Sequence, residues 1–206
     1  MKKIIYTLLV LFLAGCGGEE GEPDADTRQG IIETRVGTGK IIPLAAGHKW
    51  IYEVRALDTT VNALRAFRVD TFHVVRDTII NNGQWFEIDG LGRDRGFGTN
   101  LPDGFWYARP GENPFLFAKY PAAVGDTFTS TIGEIEAKTT VAATDLKIST
   151  SAGDFYCYKY MQKIGPQEMT TNYYFAPGVG LIKMEIMDQF GKSPVAENRL
   201  IEIKRE

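Results

Sequence analysis

From about residue 50 to the C-terminus, apolar and polar side chains alternate with a period of two. Trp50-Ile51-Tyr52-Glu53-Val54-Arg55 puts Trp, Tyr and Val on one face. A strand turns successive side chains to opposite faces, so this is the pattern of a half-buried strand. A second strand is predicted over 67–80, opening Phe67-Arg68-Val69-Asp70-Thr71, with His73 on the face of Val69, Thr71 and Val75. Asn81-Asn82-Gly83 then predicts a tight hairpin turn, because Asn-Gly adopts positive φ at both central positions at little cost. Residues 84–89 return. Further strands are predicted over 104–109, 115–119, 127–132, 134–149, 154–164, 169–175, 180–188 and 197–204. No segment carries a long helical period, and residues 58–66 are predicted as one short turn. The expected fold class is all-β, a single antiparallel sandwich or half-barrel.

An internal repeat accompanies the alternation. Pro43-Leu44-Ala45-Ala46-Gly47-His48-Lys49-Trp50 matches Pro121-Ala122-Ala123-Val124-Gly125-Asp126-Thr127-Phe128 as Pro-x-x-x-Gly-x-x-aromatic. Each copy precedes a long strand and a Gly turn, Gly83-Gln84-Trp85-Phe86 in one and Gly153-Asp154-Phe155-Tyr156 in the other. Each then reaches an aromatic-Ala-Pro-Gly element, Trp106 to Gly111 and Tyr174 to Gly178. The order of landmarks predicts a duplicated meander, 43–120 and 121–205. Neither half alone would cover its apolar face, so the two are expected to close on each other.

The first forty residues obey other rules. Lys2 and Lys3 precede an uncharged, largely apolar run from Ile4 to Ala14, the layout of a secretory signal. That run is about half the ~20 residues a helix needs to span a bilayer. It ends Leu13-Ala14-Gly15-Cys16, which resembles the lipobox of bacterial lipoproteins. The resemblance implies cleavage between Gly15 and Cys16, a diacylglyceryl group on the Cys16 thiol and an acyl chain such as palmitate on its amine. Each buried CH₂ contributes about 0.8 kcal/mol, so two or three chains hold firmly where one does not. Residues 1–15 are thus read as signal, 16–40 as lipidated Cys and flexible tether, and 41–206 as the β-domain. The tether is Gly- and acid-rich (Glu19, Glu20, Glu22, Asp24, Asp26) and cannot bury enough surface to fold. Gly37-Thr38-Gly39-Lys40 lacks phosphate-loop spacing and reads as linker. Gly17 after the lipid Cys resembles outer-membrane sorting in enterobacterial lipoproteins, and the acidic run resembles the surface-export signal of Bacteroidetes lipoproteins. The implied location is the outer membrane, facing periplasm or cell surface.

Composition then limits the chemistry. The formal net charge is −3, with no basic stripe, which argues against nucleic acid as a partner. Of two cysteines one is assigned to lipid, leaving Cys157 alone and expected as a small buried hydrophobe. No Gly-x-Ser-x-Gly, His-Glu-x-x-His or Cys-x-x-Cys occurs. Gly90-Leu91-Gly92-Arg93-Asp94-Arg95-Gly96 reads as an exposed β-connection. A zinc site would need both histidines, His48 and His73, plus a carboxylate such as Glu53 or Asp77. No metal, no cofactor and no catalytic residue is expected. The distinctive chemistry is aromatic. Trp85, Trp106, Tyr156, Tyr158 and Tyr160 are predicted to form one aromatic face, either cross-strand core pairs or the lining of a cleft for an apolar, glycan or protein ligand.

Pro43 to Tyr52 (Pro-Leu-x-x-Gly-x-x-Trp-x-Tyr), Gly153 to Tyr160 and Tyr173 to Lys183 (Tyr-Tyr-x-Ala-Pro-Gly-Val-Gly-Leu-Ile-Lys) resemble a group of bacterial secreted and lipid-anchored β-proteins. The resemblance spans most of residues 42–204 and implies no reaction. The expected function is a non-enzymatic, lipid-anchored envelope protein that binds a ligand or partner. Two alternatives make distinct structural demands. A structural or assembly lipoprotein would have a packed interior. An envelope-polymer hydrolase would need two carboxylates, or a His and an acid, converging in one cavity.

Overall fold

The computed structural model describes residues 39–90, 95–166 and 169–205. Gly15, Cys16 and the tether up to residue 38 lie outside the described residues, as do 91–94 of the glycine-rich connection. The chain forms twelve strands: β1 (Lys49–Asp58), β2 (Ala63–Ile80), β3 (Gly83–Asp89), β4 (Gly96–Leu101), β5 (Gly104–Ala108), β6 (Phe115–Lys119), β7 (Thr127–Ile132), β8 (Ile135–Thr150), β9 (Gly153–Ile164), β10 (Met169–Ala176), β11 (Gly180–Met187) and β12 (Pro194–Lys204). There is no helix among the described residues.

All twelve belong to one antiparallel sheet in the order β6-β5-β4-β3-β2-β1-β12-β11-β10-β9-β8-β7. Consecutive strands are neighbours in space, and β12 pairs with β1, so the meander curls back on itself as a nearly closed barrel. The alternative of two stacked sheets is excluded by this single continuous ladder. The one unladdered seam runs between β6 and β7, which lie side by side. There the Ser130 hydroxyl donates to the Leu116 carbonyl at 2.6 Å, and the Gly133 amide donates to Glu112 Oε2 at 3.3 Å. These bonds stand where ladder bonds are missing.

An up-and-down order sends alternate turns to opposite ends. The β1–β2, β5–β6, β7–β8 and β11–β12 connections rim one end, and the β2–β3, β4–β5, β6–β7, β8–β9 and β10–β11 connections gather with the incoming chain at the other. That second end is closed. Ile41, Ile42 and Leu44 are buried there, because the segment entering the barrel has its polar backbone matched: the Gly178 amide donates to the Lys40 carbonyl (2.8 Å) and Asn100 Nδ2 to the Ile42 carbonyl (2.9 Å). Trp50 fills the same region against Phe72, ring centroids 4.9 Å apart, and its indole N–H donates to the Val179 carbonyl at 2.6 Å. The Tyr160 hydroxyl donates to the Lys119 carbonyl, also at 2.6 Å.

The two Pro-x-x-x-Gly turns are built alike. The Gly47 amide donates to the Val74 carbonyl and the Val74 amide to the His48 carbonyl, both at 2.9 Å. Gly125, Val141 and Asp126 make the same two bonds at the same distance. Both glycines sit at positive φ, 88° and 90°, a region a β-carbon disfavours. The third landmark is out of step, since it closes β5 in the first half and β10 in the second.

Three local expectations change. Residues 58–66 are not one turn: β1 runs to Asp58 and β2 begins at Ala63, so the turn is only 59–62. The β2–β3 turn is centred on Asn81-Asn82, both at positive φ, with Ile80 paired to Gly83. An additional strand, β4, occupies Gly96–Leu101. Its glycines disguise it, yet they are there for packing: a β-carbon on Gly98 would stand 2.4 Å from Ile88 Cδ1 and 2.7 Å from the Phe105 ring.

Candidate ligand cavity

Residues projecting inward from the strands do not fill the barrel. They enclose a cavity of about 620 Å³, within the roughly 300–1,000 Å³ of small-molecule sites. Ile42, Phe105 and Phe175 bound it towards the closed end, and Tyr52, Phe117 and Tyr173 line its middle. The aromatic rings meet edge to face, Phe117 with Tyr173 at 5.1 Å and with Phe175 at 6.1 Å, the arrangement favoured by ring quadrupoles. Phe67, Ile135 and Ile186 line the cavity at the other end and yet are 59%, 51% and 41% exposed. An apolar side chain that faces both water and a cavity marks a mouth. Among the described residues the chamber is therefore closed where the chain enters and open at the opposite rim.

Polar groups in the wall are few and mostly engaged. The Tyr52 hydroxyl donates to the Leu181 carbonyl at 2.9 Å, and burial raises its pKa above the ordinary phenol range. Gln162 is buried and donates to Thr139 Oγ1 (3.3 Å) while accepting from the Tyr173 hydroxyl (3.4 Å). Burial pushes the Tyr173 phenol up to about 12. Among the described residues three charged side chains line the cavity, Arg68, Asp70 and Arg109. Arg68 Nη2 donates to Asp70 Oδ2 at 2.8 Å, whereas Arg68 Nε is shielded from water with no acceptor. A donor left in that state costs about 1–3 kcal/mol.

Arg68 and Asp70 stand in the wall on the face of β2 opposite that of Val69 and His73. Val69 is exposed, and the inward set is Arg68, Asp70 and Phe72. A register shift at Val54/Arg55 leaves Phe67 as an extra residue, and a bulge re-aims the side chains beyond it. The signal was available in the parity of the buried Phe72 and Val74, which Arg68 and Asp70 share.

The five aromatics expected to form one face are not gathered around this cavity. Tyr158 and Tyr160 are buried at the closed end, stacked at 6.2 Å, with Tyr120 against Tyr158 at 5.4 Å. Tyr156 is half-buried. The Trp106 indole donates to Asp103 Oδ1 at 2.8 Å, and Trp85 borders a smaller polar cleft of about 200 Å³ with Lys40 and Gln84. The separation is topological, because β3, β5 and β9 stand at different points around the barrel wall. The cavity uses Phe105, Phe115, Phe117, Tyr173 and Phe175 instead.

The outer wall is charged. Glu185 and Glu197 are directly opposed on β11 and β12, with Lys183 Nζ at 2.6 Å from one and 3.1 Å from the other. Arg199 and Tyr174 complete the lattice, Arg199 Nε at 3.0 Å from Glu197 and the Tyr174 hydroxyl at 2.7 Å from Glu185. Burial works to raise the Glu185 pKa, but the hydrogen bonds from Lys183 and Tyr174 outweigh it and hold it low. Neither carboxylate lines the cavity, and Asp70, the one acid among the described residues that does, is paired to Arg68. Apolar inside and charged outside is the reverse of a lipid-spanning barrel.

The histidines stay apart from the cavity. His48 Nδ1 lies 2.9 Å from the Pro43 carbonyl oxygen, and no group of three His, Cys, Asp or Glu side chains that could hold a metal occurs among the described residues. Cys157 is buried and free, its Sγ 3.8 Å from the Phe155 carbonyl, and burial pushes its thiol up to about 12.

No model of a known protein family matches the chain, and no curated protein matches it in sequence. Among solved structures it is similar to a candidate exported protein with a YmcC-like fold from Bacteroides fragilis NCTC 9343, with a TM-score of 0.52 and 14% identity over 80% of this chain and 98% of that one. It is also similar to a candidate lipoprotein from Parabacteroides distasonis ATCC 8503, with a TM-score of 0.47 and 16% identity over the same shares. The first likeness shows the fold: an all-β barrel-like sheet of the YmcC-like kind.

Proposed function

We propose that this chain is a lipid-anchored envelope protein that holds an apolar ligand inside its barrel. The observation that carries the reading is the aromatic chamber of about 620 Å³, closed by Ile42 and open at Phe67, Ile135 and Ile186. Burial of apolar surface in such a chamber is favourable at about 25 cal/mol per Å². The lipobox-like Leu13-Ala14-Gly15-Cys16 supports the anchor, and the acidic tether supports a domain held clear of the membrane at the outer membrane. The motifs from Pro43 to Tyr52 and Tyr173 to Lys183 favour membership in the secreted and lipid-anchored group they resemble.

Residues 17–206, exported behind a cleavable leader and purified without detergent, should carry a non-covalent adduct in native mass spectra that is lost on denaturation. Ala56 and Ala196 face each other across β1 and β12 and both line the cavity. Ala196→Trp should obstruct the chamber near its mouth and remove the adduct while the protein still folds. Bare mass for the native chain, with added apolar ligands also failing to bind, would sink the reading.

A further inference from the structure

The geometry points to a single-chain amphiphile with an anionic head as the ligand, its head held by Arg68 at mouth level and its tail running to Ile42. This rests on the cavity reading above and names the chemistry that the cavity selects. The wall is graded along its axis. Arg68 pairs with Val54, towards the mouth end of β1, while Phe72 pairs with Trp50 at the closed end. Arg109 comes just after β5 at the open rim, and Phe105 lies near the start of the same strand at the closed end. Charge is thus confined to the upper wall, and the lower wall is apolar and aromatic.

The charge left over is positive. Asp70 accepts from Arg68 Nη2 at 2.8 Å, so the single acid among the described lining residues is matched, and among those residues two guanidinium groups face one carboxylate. Arg109 Nη1 reaches Glu112 only at 3.8 Å, on the exposed rim. Arg68 keeps an unused donor: its Nε is out of reach of water and has no acceptor, while its Cζ lies 5.2 Å from the Phe67 ring. A guanidinium is a fork of five donors that suits the planar, two-oxygen geometry of a carboxylate or phosphate. An anionic head entering beside Asp70 would draw the guanidinium round so that Nε gains an acceptor, and a cationic head would not. The volume suits one acyl chain.

Three twelve-carbon probes separate the possibilities by calorimetric titration on residues 17–206: dodecanoate, dodecan-1-ol and dodecyltrimethylammonium. Dodecanoate should bind about tenfold more tightly than the alcohol, the worth of one charge-assisted hydrogen bond. Arg68→Gln should erase that preference, with the denaturation midpoint of the variant reporting that it is folded. Asp70→Asn, by freeing the fork, should strengthen dodecanoate binding. A second arm with 1-dodecanoyl-glycerol 3-phosphate distinguishes the sources: tighter binding than dodecanoate identifies a lysophospholipid, weaker binding a free fatty acid. Equal affinity for acid and alcohol, insensitive to Arg68→Gln, would overturn the head-group assignment and leave the cavity reading standing. Preference for the ammonium probe would overturn it too. Failure of every probe to bind would overturn both.

Discussion

The two ends of this barrel are made from the same kinds of side chain and behave as opposites. At the closed end Trp50, Ile41, Val179 and Tyr160 are all but fully buried, and polar atoms there are matched at 2.6–2.9 Å by Val179, Lys119 and Ile42 carbonyls. At the open end Phe67, Ile135 and Ile186 stand half in water over an unfilled chamber. A closed end of this kind belongs to a folding core. An open end that leaves apolar surface uncovered forgoes stability, and an exposed apolar patch of that kind marks a binding site. What separates them is one short stretch: residues 40–44, pinned by Gly178 and Asn100, cover one end, and nothing among the described residues covers the other.

The largest test of that contrast is at the closed end. Trp50→Ala should destabilise the protein by about 3–5 kcal/mol, read as a lower denaturant midpoint, because it removes a fully buried indole and leaves the Val179 carbonyl without its donor. A loss no greater than that of a rim substitution would break the comparison. Gly98→Ala should cost about 1–3 kcal/mol by overpacking, since the added carbon would press on Ile88 and Phe105 at 2.4 and 2.7 Å.

Alkaline pH sharpens the comparison next. Cys157 is raised by burial from 9.0 to about 12 and Tyr173 from 10.0 to about 12, and burial raises Tyr160 at the closed end as well. These groups ionise earlier in the unfolded chain than in the folded one. The stability they contribute is complete below the unfolded pKa values and is lost as pH climbs from about 9 towards 12. Denaturation midpoints should be level near neutrality and fall across that window, and Cys157→Ser should soften the early part of the fall. Reaction of Cys157 with a thiol reagent in the folded protein at pH 8 would contradict its burial.

The smallest stability effect belongs to the mouth. Ile135→Ser should move stability by no more than about 0.5 kcal/mol, while weakening capture of a dodecyl chain in the same titration used for Arg68. Loss of stability with binding unchanged would turn the mouth into an ordinary piece of core.

The alternation of Trp50, Tyr52 and Val54, the Asn turn and the paired Pro-x-x-x-Gly landmarks made the all-β class legible, because strand period and turn chemistry are local. Position by position the limits were equally local. β4 was hidden since Gly96 and Gly98 look like loop residues until Tyr107 and Phe105 are placed against them. The lining role of Arg68 and Asp70 was hidden because charged side chains on a strand look like an outward face until Phe72 and Val74, which share their parity, are found buried.

By itself, then, the sequence determined the properties that depend on neighbours in the chain: a signal-like segment ending in a lipobox-like Cys16, an acidic stretch after it, and a succession of antiparallel strands. Tertiary structure alone decided that the strands close into one barrel instead of two sheets, that Ile41 and Ile42 stop one end, and that a chamber remains at the other. Those outcomes depend on register, bulges and curvature accumulated over twelve strands, so residues as distant as Arg68 and Tyr173 become lining of the same cavity. Alternation places a side chain on a face; only closure of the sheet makes that face an interior.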